Sequence, residues 1–320
     1  MTQSREGVSC PVTGCSYRGQ PASVAGHVSG KRDERHDWQR LGYDGARHYK
    51  REQSQTQSTE EPTPVFPILT DSHIGKQSGG YGASTWKIDP LEDLETVLEF
   101  VDNSHRVYTE EGQLLFEQVL YTGDLFQNDR GGISNDDVAA VRASFEELPS
   151  DVLPVLYVCG NHARSEGRQI WNEFESAGLA QSLSTTPYVL GNTAIYGIDY
   201  HPEQWWESAP TLEPSSAPLR VLCLHQSVEP FRKSSTAEFD LRTMLPTIST
   251  AIDGVPEVVI VGHMHEIIDD QISVDGQNVR VINAGSTTNI GATEDAIIPG
   301  MSLLYPDSGS TKSLRFPDEL

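Results

Sequence analysis

Five times along this chain a short apolar run ends directly in a polar cluster built from Asp, Asn and His, and this recurrence restricts the fold more than any other feature. The clusters are Thr70-Asp71-Ser72-His73-Ile74-Gly75, Gly123-Asp124-Leu125-Phe126, Gly160-Asn161-His162, Leu224-His225-Gln226 and Gly262-His263-Met264-His265. The runs before them read as strands over Val65–Thr70, Glu117–Thr122, Leu153–Cys159, Arg220–Leu224 and Glu257–Val261. Further strands are expected at Ala194–Asp199 and Val279–Asn283. Helices are expected at Leu91–Val101, Asp136–Leu148 and Gln169–Ala177, with Gly178 placed as a C-cap. Strand alternating with helix predicts an α/β layered sheet. In such sheets ligands bind at the carboxyl ends of strands, so five segments deliver Asp, Asn and His to one edge.

Those residue types suit a dinuclear metal site. Asp brings charge and can bridge two cations, while His and Asn are neutral donors. Mixed carboxylate and imidazole ligation favours Mn, Fe or Zn over Mg or Ca. His263 and His265 are two apart, which puts them on one side of a straight strand. At a turn after a strand they can instead reach adjacent metals. Taken singly the motifs are weak: Asp-x-His and Gly-Asp are common surface turns, and His225 alone could be a hydrogen-bonded core histidine. Their order and their strand-end positions carry the reading.

Residues 1–50 are a different region. Cys10, Cys15, His27, His36 and His48 stand among few large apolar residues, in a stretch too small to bury a core. Cys10-x4-Cys15-x11-His27-x8-His36 approximates a two-cysteine, two-histidine zinc site, and so small a segment needs a metal to fold. The gap of eight between His27 and His36 exceeds the usual three to five, so His48 stands as an alternative fourth ligand to His36. The other reading is a disordered tail with incidental Cys and His. Residues 51–63 are polar and aperiodic, a flexible linker; residues 64–320 form the large domain. Cys159 and Cys223, at the ends of apolar runs, read as buried and structural.

The net charge of −23 rests on 46 acidic against 23 basic residues, only 6 of them Lys. Scarce Lys and abundant acid suggest adaptation to molar salt, with an ordinary acidic enzyme as the alternative. An acidic surface normally repels nucleic acid. In molar salt the Debye length falls to about 3 Å, so overall charge then says little about local binding. No apolar run approaches the roughly 20 residues of a membrane helix, and Met1 to Gly7 lacks the apolar core of a secretory signal. The expectation is a cytoplasmic protein without membrane partners.

The order Asp-x-His, Gly-Asp, Gly-Asn-His, His, Gly-His-x-His resembles the calcineurin-like metallophosphoesterase superfamily over roughly residues 64–305. The details DSHIG, GDLF and LHQ look most like the nuclease branch of the Mre11/SbcD type. The resemblance implies a metallophosphoesterase β-sandwich flanked by helices, here with the small zinc-finger-like module in front. It implies that Asp71, His73, Asp124 and His265 hold one metal, and Asp124, Asn161, His225 and His263 the other. His162 would be the catalytic histidine that is not a ligand. Arg164, near it in sequence, would contact phosphate, or else be a solvated loop residue. The implied reaction is hydrolysis of a phosphate ester, most simply a phosphodiester in DNA or RNA. The alternative is a phosphatase or phosphodiesterase acting on a small molecule or phosphoprotein, and a binding protein with a degenerate centre is the reading from another class. Three departures stand out. Gln127 replaces the His that usually follows GDLF, Ala163 replaces the acid that usually follows GNH, and the chain stops at Leu320 without the extension that grips a Rad50-type ATPase. No such ATPase partner is therefore expected.

Overall fold

The computed structural model describes residues 8–19, 21–31, 33–50, 63–76, 78–81, 84–104, 106–109, 112–127, 133–163, 165–232, 237–288 and 300–315. Residues 51–62 of the expected 51–63 linker and Arg164 lie outside the described residues, while Thr63, expected in that linker, opens a strand. The chain divides into two compact units, Met1–Thr63 with Val107–Leu114, and Pro64–Arg106 with Leu115–Leu320.

In the first unit two short strands, Val8–Ser9 and Arg18–Gly19, pair antiparallel and lead into a helix, Pro21–Gly30. Sequence reading assigned no strand or helix here and expected a stretch too small to bury a core, whereas a small core is present. The helix forms because Val24, Ala25 and Val28 fall on one face and bury against Cys10, Val12 and Tyr49.

The second unit is a two-sheet sandwich. Its main strands are β1 (Thr63–Leu69, in this unit from Pro64), β2 (Gly112–Phe116, in this unit from Leu115), β3 (Leu120–Thr122), β4 (Val155–Val158), β5 (Ala180–Ser182), β6 (Tyr188–Leu190), β7 (Thr193–Ile198), β8 (Leu219–His225), β9 (Val258–Gly262), β10 (Ile267–Val274), β11 (Gln277–Ala284), β12 (Gly300–Tyr305) and β13 (Ser310–Arg315). The helices are α1 (Pro90–Ser104), α2 (Asn135–Glu146), α3 (Ser165–Ser176) and α4 (Leu241–Ile248). One sheet runs β5-β4-β3-β1-β12-β13, with β2 beside β1; the other runs β6-β7-β8-β9-β11-β10. Strands β1, β3, β4 and β5 are parallel, as are β7, β8, β9 and β11. Antiparallel strands β12, β13, β6 and β10 finish the sheets.

Phe66, Ile68, Leu120, Leu156 and Val158 of the first sheet form one buried cluster with Ile195, Val221, Cys223, Ile260 and Ile282 of the second. Both sheets are covered on their outer faces as well, which is why β4 and β9 are apolar throughout. On the first sheet Trp171 of α3 stacks on Tyr157, centroids 3.9 Å apart, beside Phe145 and Phe174. Truncating so buried a Trp costs about 3–5 kcal/mol. On the second sheet Leu241, Met244, Leu245 and Ile248 of α4 pack on Leu222, Leu224, Val259 and Val261. Helix α3 ends as Gly178 implied. With φ at +74°, Gly178 donates its N–H to Glu175 O, and Leu179 donates to Phe174 O.

The seven strands and three helices expected from the sequence are present with shifted ends. Also present, and unforeseen, are β2, β5, β6, β10, β12, β13 and α4, of which β10 is largely exposed along its length.

Candidate metal centre

The carboxyl ends of β1, β3, β4, β8 and β9 lie along one edge and carry the five polar clusters. Beyond the strands the β1 and β3 loops stay zipped together. Asp71 N donates to Gly123 O at 3.0 Å, His73 N to Asp124 O at 2.9 Å, Ile74 N to Leu125 O at 2.8 Å and Gln127 N to Ile74 O at 2.8 Å. This ladder fixes where the Asp71, His73, Asp124 and Gln127 side chains start.

Backbone strain concentrates at the same residues. Among the described residues six non-glycines have positive φ, and five are Asp71, His73, Asp124, His263 and His265. The sixth, Asp275, is in the tight β10–β11 turn. Such conformations cost on the order of 1–3 kcal/mol each and cluster where a site demands them. The motif glycines answer to close approach. A Cβ on Gly123 would lie 2.1 Å from His225 Nδ1, and one on Gly160 2.1 Å from Asp124 Oδ1.

Two donor sets result. Asp71, His73 and His265 converge within 4.8 Å, as do Asp124, His225 and His263. Asn161 Oδ1 joins the second set 3.2 Å from His225 Nε2. Asp124 reaches both, its Oδ2 lying 3.1 Å from His225 Nε2 and 3.9 Å from His73 Nε2. His162 approaches His73 and Asp124 as well, and donates its backbone N–H to Asp124 Oδ1 at 2.9 Å.

The supporting bonds leave the inward-facing atoms available. Asp71 Oδ2 accepts from Thr70 Oγ1 at 2.5 Å and from His263 N at 3.0 Å. Asp71 Oδ1, fully buried, has no hydrogen-bond partner yet lies 3.3 Å from His265 Nε2 and 3.6 Å from His73 Nε2. A buried carboxylate oxygen facing imidazole nitrogens in this way is the donor a cation would satisfy. His225 Nδ1 donates to Thr122 O at 2.7 Å, turning the Nε2 lone pair toward Asp124 and Asn161, as a ligating histidine requires. Ser286 Oγ donates to Asp71 O at 2.6 Å and Thr287 Oγ1 to Thr70 O at 2.8 Å, so the loop after β11 braces the Asp71 loop. Sequence reading missed this brace, whose only signal is Gly-Ser-Thr following an apolar run.

Electrostatics agree with a cation site. Burial opposes ionisation of Asp124, but the His225 imidazole beside it holds the carboxyl down at about 2. Burial likewise opposes the charge on His225, and Asp124 and Asp71 override it, lifting the imidazole to about 9. Asp71 also sits well below the usual carboxylate range, its burial outweighed by His265 and His225. His263 is pushed down to about 4 by burial and then by His225. Two buried carboxylates thus draw positive charge into the site, as a proton or as a metal.

In the first unit Cys10, Cys15, His27 and His36 bring one donor atom each within 4.8 Å of the others. His27 Nε2 lies 3.3 Å from Cys15 Sγ. The long histidine spacing works because the helix stops at Gly30 and a tight turn, Glu34–His36, swings back. Asp33 caps that turn, accepting from Arg35 N and His36 N, and its Oδ1 lies 2.7 Å from His36 Nδ1. His36 Nε2 is buried without a hydrogen-bond partner, the mark of a ligand atom. His48 lies apart, its Nδ1 accepting from Asp44 N at 3.1 Å. The Tyr17 backbone, then His36, lower the Cys15 thiol to about 6, toward the thiolate that zinc binds. Cys159 and Cys223 are buried, and burial raises both thiols, consistent with packing roles.

Paired sheets with Asp, His and Asn gathered at one edge define a metal-dependent phosphoesterase. The sequence profile of calcineurin-like phosphoesterases matches residues 66–266, and the chain belongs to that family. It is similar to DNA double-strand break repair proteins Mre11 of several archaea. Identity is 26% over 231 residues with the Methanosarcina acetivorans protein, covering 70% of this chain and 34% of the relative. It is 28% over 225 residues with that of Haloferax volcanii, covering 70% and 45%. With that of Halobacterium salinarum it is 28% over 226 residues, covering 70% and 52%. The chain therefore matches about a third to a half of each relative's length. Among solved structures, an archaeal phosphodiesterase aligns over 79% of this chain and 99% of its own, with 14% identity and a TM-score of 0.43. The haloarchaeal relatives agree with the acidic composition as a sign of adaptation to salt. Among the described residues no helix is long and apolar enough to cross a membrane.

Proposed function

We propose that this chain is a two-metal phosphodiesterase acting on nucleic acid in the cytoplasm. Residues 64–320 are the catalytic domain, residues 1–50 a zinc-binding module and residues 51–63 their linker. The observation that carries this reading is Asp124, shared by two donor sets beside the buried, unpartnered Asp71 Oδ1. Asp71, His73, Asp124 and His265 form the first ligand set; Asp124, Asn161, His225 and His263 form the second. Two cations of the Mn, Fe or Zn kind, once bound, supply an activated water and positive charge for the phosphoryl oxygens. Asp124 stands between the two sets, where its carboxylate can serve both. His225, oriented by Thr122 O, offers Nε2 as a lone pair. His162 stands beside the first set, where it can hydrogen-bond a phosphoryl or leaving oxygen. Arg164, two residues on, is the proposed phosphate contact.

Nucleic acid is favoured by the relatives' names and by charge distribution. Residues 1–50 hold eight basic and five acidic residues, a net +3, whereas the whole chain carries −23, leaving −26 for residues 51–320. One zinc held by Cys10, Cys15, His27 and His36 would fold this basic module, which suits a polyanion.

The test is a side-by-side screen with Mn²⁺ at high salt on single-stranded DNA, duplex DNA, RNA, cyclic nucleotides and phosphomonoesters. Cleavage of DNA or RNA is expected. Good turnover of a phosphomonoester or small diester with none on any nucleic acid would replace the nuclease reading with a small-molecule or phosphoprotein esterase.

A further inference from the structure

Gln127 and Ala163 are two positions where this sequence departs from its resemblance, and the structure sets Gln127 against His162, the residue before Ala163. Gln127 Oε1 lies 2.6 Å from His73 Nδ1, and Gln127 Nε2 lies 3.2 Å from His162 Nδ1. One amide therefore spans a metal-side histidine and the proposed catalytic histidine. Its backbone is held by the Gln127 N–H to Ile74 O bond, part of the ladder that also sets His73.

The chemistry of His73 decides which way this amide faces. His73 Nε2 points into the donor cluster, 3.3 Å from His265 Nε2 and 3.6 Å from Asp71 Oδ1. A ligating Nε2 must offer a lone pair, so the ring proton sits on Nδ1 and donates to Gln127 Oε1. That leaves the Gln127 NH₂ turned to His162, where it can only donate. His162 Nδ1 must then be the lone-pair nitrogen, and its proton sits on Nε2. An acid at position 163 would instead favour a protonated Nδ1, and Ala163 supplies none.

We propose that Gln127 is the positioning residue of this site, transmitting the orientation of the metal ligand His73 to His162 and holding His162 as the neutral Nε2–H tautomer. This rests on the two-metal phosphodiesterase reading. In that tautomer His162 acts as a hydrogen-bond donor to substrate oxygen and keeps its proton, because giving up Nε2–H while Nδ1 stays unprotonated would leave an imidazolate.

The experiment compares wild type, Gln127→Leu, His162→Ala and the double variant on an aryl phosphodiester, with metal content measured for each. Gln127→Leu should lower kcat about 10–100-fold, the usual effect of losing an orienting partner, with KM and metal content little changed. In the His162→Ala background the same substitution should do almost nothing further, since Gln127 acts through His162. An undiminished loss in that background, or metal loss in proportion to activity, would show that Gln127 merely supports His73 and would overturn the proposal. ¹⁵N NMR of the zinc-loaded, diamagnetic protein gives a readout independent of turnover. The His162 ring should show the Nε2–H tautomer, lost in Gln127→Leu; a ring protonated at Nδ1 in wild type would refute the assignment. If wild type turns over no phosphodiester but the NMR result holds, the functional reading has failed and the positioning has not.

Discussion

His225 Nε2 lies 3.1 Å from Asp124 Oδ2 in a site where both side chains are almost wholly cut off from solvent. Each partner stabilises the other's charge, and this has a consequence for metal-free protein. His225 is raised from 6.5 to about 9, so its contribution is full below about 6.5 and is lost as pH rises through 9. Asp124 is lowered from 3.8 to about 2, so its contribution is present above about 4 and is lost as pH falls through 2. The pair contributes on the order of 3 kcal/mol between those limits. Chelated protein should therefore melt several degrees lower at pH 9.5 than at pH 6.5, whereas Mn²⁺-loaded protein, with the His225 lone pair engaged, should not. Parallel melting curves for the two forms would contradict the coupling.

Asp124→Asn should leave the protein folded and cut turnover by about 10³-fold or more, since a neutral amide cannot bridge two cations and each 1.36 kcal/mol is tenfold in rate. Turnover and metal content with Mn²⁺ are the measurements. Near-normal activity with both metals retained would remove Asp124 from the bridging role.

Gly123→Ala places a Cβ 2.1 Å from His225 Nδ1 at a φ of +96°. The imidazole must move and the backbone must strain, at a cost of roughly 1–3 kcal/mol. Metal affinity should fall more than thermal stability, by calorimetric titration against melting temperature. Wild-type affinity would mean that His225 is not a ligand.

Cys10→Ala should remove one zinc equivalent by elemental analysis and expose the module to proteolysis, while turnover of a small aryl phosphodiester stays within about twofold. The motive is the four-donor cluster with His36 Nε2 left unpartnered. Unchanged zinc content would leave the cluster as an ordinary packed core.

Deleting residues 1–62 should raise KM on long nucleic acid and leave turnover of the small diester nearly unchanged, because the small substrate cannot span both parts. The KM difference should shrink as salt rises. Equal losses on both substrates would mean that the module is structural.

The order of Asp71, His73, Asp124, Asn161, His225, His263 and His265 behind apolar runs was legible in the sequence, because parallel strands buried on both faces must be apolar throughout and must end where polar groups can gather. The β12–β13 and β10–β11 hairpins were not legible. Their strands are stabilised by pairing across the sheet; β10 carries an exposed Ile267 and alternates weakly. Helix α4 carries Pro246 inside it, a local signal against helix that packing on the second sheet overrides. At the N-terminus the donor types were readable, but that His36 rather than His48 gathers with Cys10, Cys15 and His27 depends on the turn capped by Asp33. Gln127 appeared in the sequence only as a departure. Its relation to His73 and His162 joins residues 54 and 35 positions away. Periodicity and residue type are local properties and can be read along a chain, whereas which donor faces which acceptor is set by strands that meet only when the sheets form.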